Sequence, residues 1–155
     1  MTVLFSKRCE LGLQATLFLS TQENKKKFNA EQISSELKVP KEFVSKVLQK
    51  LCKSGIIKSK KGKDGGFFLG KQPSKIKLID IVKAIDGVEV FNTCLLGFPG
   101  CSPTKPCPVH NKWAKIRESI IKLLSTETLA EMKAVTEKKI KSLKSIHTST
   151  KKQTK

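Results

Sequence analysis

The stretch VPKEFVSKVLQKLCKSGIIKSKKGKDGGFFLGK, residues 39–71, decides the fold. Pro40 suits the first position of a new helix, because its missing N–H would be unpaired there anyway. Phe43, Val47, Leu48 and Leu51 then share one face at helical spacing, and Gly55 ends the helix. Residues 56–59 read as a strand, 60–66 as a basic glycine-rich turn, and 67–69 as a second strand. A helix followed at once by such a hairpin has the outline of a reading helix and its wing.

Upstream, residues 6–19 place Leu11, Ala15, Phe18 and Leu19 at helical spacing. A basic polar turn at 22–27 follows. Asn29 stands three residues before Gln32, a capping-box arrangement, and Ala30, Ile33 and Leu37 give a short amphipathic helix after it. Two short helices joined by about three residues form a helix-turn-helix. Downstream, 78–85 read as a helix closed by Gly87. Residues 92–108 hold Pro99, Pro103, Pro106 and Pro108 and exclude regular structure. From Val109 onward, Trp113, Ile116, Ile120 and Leu123 alternate four and three apart, a heptad-like seam. A further helix over 127–145 carries Leu129, Met132, Val135, Ile140 and Leu143. Residues 147–155 are polar and basic and are expected to be disordered. The chain shows no internal repeat.

Lysine and arginine number 31 against 13 acidic residues, a formal net charge of +18 over 155 residues. That excess calls for a polyanionic partner, nucleic acid or an anionic membrane surface. No run approaches the roughly 18 apolar residues of a spanning helix. The first twenty residues resemble a signal peptide only faintly. Lys7 and Arg8 fall inside the apolar run, Glu10 interrupts it, and no small-residue cleavage site follows. A cytoplasmic protein is expected. No C-x-x-C pair, nucleotide loop or hydrolytic constellation is present, so an enzyme is not, and no small-molecule substrate is evident.

With the apolar positions turned inward, the outer face of the second helix carries Lys41, Glu42, Ser45, Lys46 and Lys50. Lysines there can neutralise phosphates or reach guanine acceptors, and Ser45 permits close approach. Lys60, Lys61 and Lys63 on the wing can follow the backbone or enter the minor groove. A lone lysine-rich helix would be read as a solvated face. Helix, helix and basic hairpin in that order favour double-stranded DNA.

Five cysteines remain. Three of them lie in Cys94-LLGFPG-Cys101-SPTKP-Cys107-PV-His110, a C-x6-C-x5-C-x2-H spacing. Thiolates in a Gly/Pro-rich loop can converge on one centre, and soft sulfur ligands select iron–sulfur clusters, zinc or Cu(I). Structural zinc sites use tighter cysteine pairs than these. The spacing leaves an iron–sulfur cluster, zinc and metal-free redox thiols open, and His110 is either a ligand or simply the start of a helix. Cys52 reads as a packed thiol, as does Cys9, although an acidic residue from a partner's first helix could complete a cluster.

FSKRCELGLQA at the start, the reading helix, the wing glycines Gly62, Gly65 and Gly66 before Phe67 and Leu69, and the cysteine loop together resemble the Rrf2 family of bacterial transcription regulators. The likeness is to its iron–sulfur-cluster-binding members and covers about residues 4–125. It implies a homodimer, with a long helix crossing between subunits and a cluster near the interface. It implies DNA contacts near Ser45 and Lys46, and at Ser59 and Lys61 on the wing, where relatives often carry arginine. Lysine keeps the charge but loses the planar fork. It implies Cys94, Cys101 and Cys107 as cluster ligands, with His110 or, across the dimer, Glu10 as the fourth. A [2Fe–2S] cluster is preferred over [4Fe–4S], with a structural zinc or no metal as the alternative.

The expected architecture is therefore mainly α with a small β-hairpin wing: a winged helix-turn-helix domain plus a long C-terminal dimerisation helix. Residues 1–87 form the DNA-binding domain, 88–108 the cysteine-rich loop, 109–146 the dimerisation helices and 147–155 the tail. The expected function is a dimeric, sequence-specific regulator, a repressor, whose operator binding is modulated by the cluster in response to iron–sulfur status, redox or nitric oxide.

Overall fold

The computed structural model describes residues 4–22 and 26–150, the last eight of these by backbone alone. The elements run α1 (Lys7–Thr21), α2 (Ala30–Leu37), α3 (Lys41–Lys53), β1 (Ile57–Lys60), β2 (Gly66–Leu69), α4 (Leu78–Ile85), α5 (His110–Thr126) and α6 (Leu129–Thr150). This is the expected helical protein with one two-stranded antiparallel hairpin.

Local chemistry sets the helix ends. The Cys9 N–H donates to the Ser6 hydroxyl at 3.1 Å, which caps α1. Ser6 also donates its backbone N–H to Asp86 at 2.8 Å, tying the start of α1 to the end of α4. Asn29 and Gln32 exchange bonds of 2.8 Å and start α2. Lys38, with φ at 58°, makes the turn into α3. Pro40 is the cap residue of α3 and not its first helical residue.

One assignment within α3 changes. Val44, Val47, Leu48 and Leu51 are buried, while Phe43, expected inward, is 58% exposed. Phe43 and Val44 are neighbours about 100° apart on a helix, and either completes an apolar face with the later residues. The space under α3, against α1, α2 and α4, admits the valine. The phenylalanine is displaced to the flank, where it lines a groove with Arg8, Leu11 and Val39.

In the wing, Ile57 pairs with Leu69 and Lys60 with Gly66. Phe28 adds a short third rung: its N–H donates to Phe67 at 3.0 Å and its carbonyl accepts at 2.8 Å. Gly66 has φ at 138°, and a Cβ there would lie 2.9 Å from the Phe28 backbone, so this crossing requires glycine.

The core does not stop at residue 87. Leu124 and Leu129 belong to the same buried cluster as Leu48, Ile81 and Val82. The Leu129 N–H donates to Ile76 at 3.0 Å, the Leu78 N–H donates to Glu127 at 3.2 Å, and α6 packs along α1. The second half of the chain is thus folded onto the DNA-binding half. α5 is the more solvated helix: Ile116 and Leu123 of its seam are 53% and 56% exposed. α6 runs to Thr150, into the stretch expected to be a tail. Each residue added to an existing helix gains a backbone hydrogen bond without a new nucleation cost. Residues 151–155 lie outside the described part.

Leu129 is fully buried, so Leu129→Ala is expected to cost about 2–5 kcal/mol in urea unfolding. Val135→Ala, at a position 71% exposed, should stay within about 0.5 kcal/mol of the parent. Equal midpoints for the two variants would contradict the packing of α6 into the core.

Candidate nucleic-acid interface and cysteine centre

The turn at 38–40 sets α3 against α2, and the wing follows α3 directly. With Val44, Val47, Leu48 and Leu51 inward, the row opposite them on α3 is Glu42, Lys46, Gln49 and Lys53, all exposed. Gln49 and Lys53 were missed from the sequence, although at 100° per residue Gln49 already falls opposite the face of Phe43, Val47, Leu48 and Leu51. Carrying the helical period through to Lys53 would have found them, and glutamine is a residue suited to bidentate contact with adenine. Ser45 is half-buried on the flank of that row. Lys41 sits in the first turn with its ammonium 3.6 Å from Glu31, in an exposed pair that contributes little to stability. Lys50 is placed differently. Its ammonium donates to the Ile85 carbonyl at 3.0 Å, which turns it toward the end of α4. On the wing, Ser59, Lys60, Lys61 and Lys63 are exposed, and so is Lys58.

The second site lies between α4 and α5. A short 3-10 turn at Glu89–Asn92 leads into Cys94. Gly97 and Gly100, with φ at 74° and 68°, then reverse the chain twice, and a Ser102–Lys105 bridge closes the loop carrying Cys107 back to α5. The sulfurs of Cys94, Cys101 and Cys107 all lie within 4.8 Å of one another. Cys94 Sγ is 3.7 Å from Cys107 Sγ, and Cys101 Sγ is 3.1 Å from His110 Nδ1. His110 opens α5, its N–H donating to the Cys107 carbonyl at 3.0 Å. The Trp113 indole N–H donates to the Thr93 carbonyl at 3.1 Å and clamps the loop onto the helix. The four candidate ligands named from the spacing therefore meet in one hollow, which Trp113 and Arg117 also line. Glu10 does not join them within the chain. It lies on α1, 2.9 Å from Lys7.

This donor set fits a metal. Two thiolates on one tetrahedral metal with bonds near 2.3 Å stand about 3.8 Å apart, and the Cys94–Cys107 separation of 3.7 Å meets that edge. Burial pushes the Cys94 thiol up, but the backbone N–H groups of Phe98 and Leu96, helped by the Cys107 and Cys101 thiols, bring it below the usual range. For Cys101 the Cys107 backbone pulls down, while burial and the Cys107 and Cys94 sulfurs push it up, leaving it raised. Cys94 and Cys101 are thus pushed in opposite directions, and a cation among the sulfurs would favour the thiolate form of each.

Cys9 and Cys52 lie apart from this centre. Cys9 is fully buried in α1, and Cys52 is half-buried, raised by burial and lowered by a hydrogen bond with Ser59.

A helix-turn-helix with a basic wing, joined to a cysteine centre, defines a winged-helix DNA-binding regulator. The family model described as Rrf2, iron-dependent transcriptional regulator, matches residues 5–134. The chain is 31% identical over 138 residues to a protein of Aquifex aeolicus (strain VF5) named as an HTH-type transcriptional regulator, covering 88% of this chain and 95% of that one. Its structure is similar to CymR (YrzC), the global cysteine regulator of B. subtilis. The TM-score is 0.70 and the identity 21%, over 84% of this chain and 96% of the other. It is also similar to T. potens IscR, with TM-score 0.64 and identity 27%, over 82% of this chain and 83% of the other. The chain belongs to the Rrf2 family, whose members are DNA-binding transcription regulators and not enzymes. No described helix is long and apolar enough to cross a membrane.

Burial, then the Asp86 and Glu10 carboxylates, push the Cys9 thiol from 9.0 up to about 12. In the unfolded chain it ionises near its ordinary value and in the folded chain it does not, so this residue favours unfolding as pH rises from 9.0 toward about 12. Cys9→Ala should therefore lose less of its melting temperature than the parent between about pH 8 and pH 11. Parallel pH profiles for the two proteins would refute the assignment.

Proposed function

We propose that this protein is a cytoplasmic, homodimeric, sequence-specific transcriptional repressor whose DNA affinity is set by an iron–sulfur cluster on Cys94, Cys101, Cys107 and His110. The convergence of three sulfurs within 4.8 Å beside the start of α5 carries the reading. The donors fall into two close pairs, Cys94 with Cys107 at 3.7 Å and Cys101 with His110 at 3.1 Å. That pairing suits a two-iron cluster with one pair on each iron. When bound, such a cluster supplies a centre that responds to oxidants, nitric oxide and iron supply.

The chain itself supplies the rest. Lys41, Ser45, Lys46, Ser59, Lys60, Lys61 and Lys63 face duplex DNA, with Lys46 nearest the base edges and the wing lysines along the backbone. Lys50, engaged at Ile85, braces α3 from behind. The exposed Ile116 and Leu123 of α5 form the seam against a second copy. A dimer presents two reading helices at a fixed spacing, which is what paired half-sites demand. His110 begins α5 and Cys107 accepts its backbone N–H just before it, so a change in what they hold moves the helix that sets that spacing.

A second reading, a single structural zinc ion, is favoured by one observation. All three sulfurs fit within 4.8 Å, a compactness that suits one tetrahedral ion.

Protein purified without oxygen should be coloured and contain iron and sulfide. Colourless protein holding zinc would decide for the second reading. Cys101→Ala should lose the cluster and change operator affinity about a hundredfold, which is about 2.8 kcal/mol. Unchanged affinity in a variant shown to be cluster-free would end the switching claim.

A further inference from the structure

The basic turn before α2 has no role so far. The Phe28–Phe67 rung draws the end of that turn alongside the wing. Lys26, Lys27 and Lys63 consequently line one open polar hollow of about 450 Å³ with Asn29, Gln32 and Asp64. Three cations against one carboxylate repel one another when nothing anionic lies between them. Two of them are nonetheless held in place. The Lys26 ammonium stands 5.3 Å from the Phe28 ring centre and the Lys27 ammonium 6.0 Å from that of Phe68. Asn29 and Gln32 already bond each other's backbone in the capping box, so the hollow offers lysine ammoniums to a ligand.

Its position selects the ligand. On one side Glu31, in the first turn of α2, pairs with Lys41 at the start of α3. On the other, Lys63 belongs to the wing tip, between β1 and β2. The hollow thus lies between the start of α2 and the wing tip, one ion pair away from the first turn of α3, where a duplex strand touching both α3 and the wing would pass.

We propose that Lys26, Lys27 and Lys63 clamp a backbone phosphate of the bound duplex, so that the turn before α2 is a third DNA-contacting element beside α3 and the wing. This rests on the reading that α3 and the wing bind duplex DNA. The clamp contributes affinity and register without reading bases.

The test uses the full chain and a duplex that it selects from a random-sequence pool. Lys26→Gln/Lys27→Gln should weaken binding and lower the slope of log affinity against log salt by about 0.9 for the phosphate lost, with the selected sequence unchanged. Lys26→Arg/Lys27→Arg should restore the slope. A parent slope and affinity in the glutamine pair, or an altered sequence preference, would overturn the clamp. If the parent protein selects no sequence and shows no salt-dependent binding, the DNA-binding reading itself falls. Should the glutamine pair fail to fold, Lys63→Gln at the exposed wing tip gives the same readout.

Discussion

Ile85 fills the notch over Gly12 where α4 crosses α1, and both halves of the protein depend on that contact. A Cβ on Gly12 would meet the Ile85 side chain at 2.0 Å and Val47 at 3.4 Å, so α1, α3 and α4 meet at one point. Burying an isoleucine stabilises by about 1.5–3 kcal/mol, and the position of this one matters as much as its energy. The carbonyl of Ile85 receives Lys50 from α3, and the next residue, Asp86, receives Ser6 from α1. The end of α4 thereby fixes the recognition helix and the first helix relative to each other.

Charge is arranged around this core and not through it. Thr16 and Ser20 are buried polar side chains, and both hydroxyls donate to carbonyls of their own helix. Lys46 and Lys53 of α3, Lys26 and the wing lysines stand at the surface, where their mutual repulsion is lowered by water and salt and relieved further by a polyanion. A net charge of +18 on a chain of this size destabilises the isolated compact state and favours the DNA-bound one.

What could be read from the chain depended on the range of the interaction. The capping box at Asn29 and Gln32, the stop after α4 and the glycines of the wing are local rules, and each stands where the residues place it. Phe43 against Val44 was not a local matter. Both fit the helical period, and the choice was made by the volume available between three other helices. Lys50 could not be placed for a similar reason: its partner carbonyl is 35 residues further on. The cysteine spacing of six and five residues permitted a shared centre but did not require one. Convergence came from the reversals at Gly97 and Gly100 and from the Trp113 clamp. The continuity of the core through Leu124 and Leu129 was equally hidden, because Leu124 stands one position off the heptad-spaced seam and the buried cluster that both join is built from the first half of the chain.

The chain order joins the two sites by a short path. From Ile85, which holds Lys50 of α3, the backbone passes Asp86 and Gly87 and one 3-10 turn before reaching Cys94. From Cys107 the chain enters α5 directly, and α5 packs back on α4. Both ends of the cysteine loop are thus anchored to the one helix that positions the recognition helix. A rearrangement among the three sulfurs need not travel through the whole molecule. Under the proposed switching, strain in the Glu89–Asn92 turn or in the first turn of α5 would be enough to load the Lys50–Ile85 bond. A hundredfold change in affinity asks for about 2.8 kcal/mol. That is the scale of one or two charge-assisted hydrogen bonds at about 1.5–3 kcal/mol each. The bond from Lys50 to the end of α4 is charge-assisted and, under the proposed switching, is a candidate for that lever once its exposure to solvent lowers its worth.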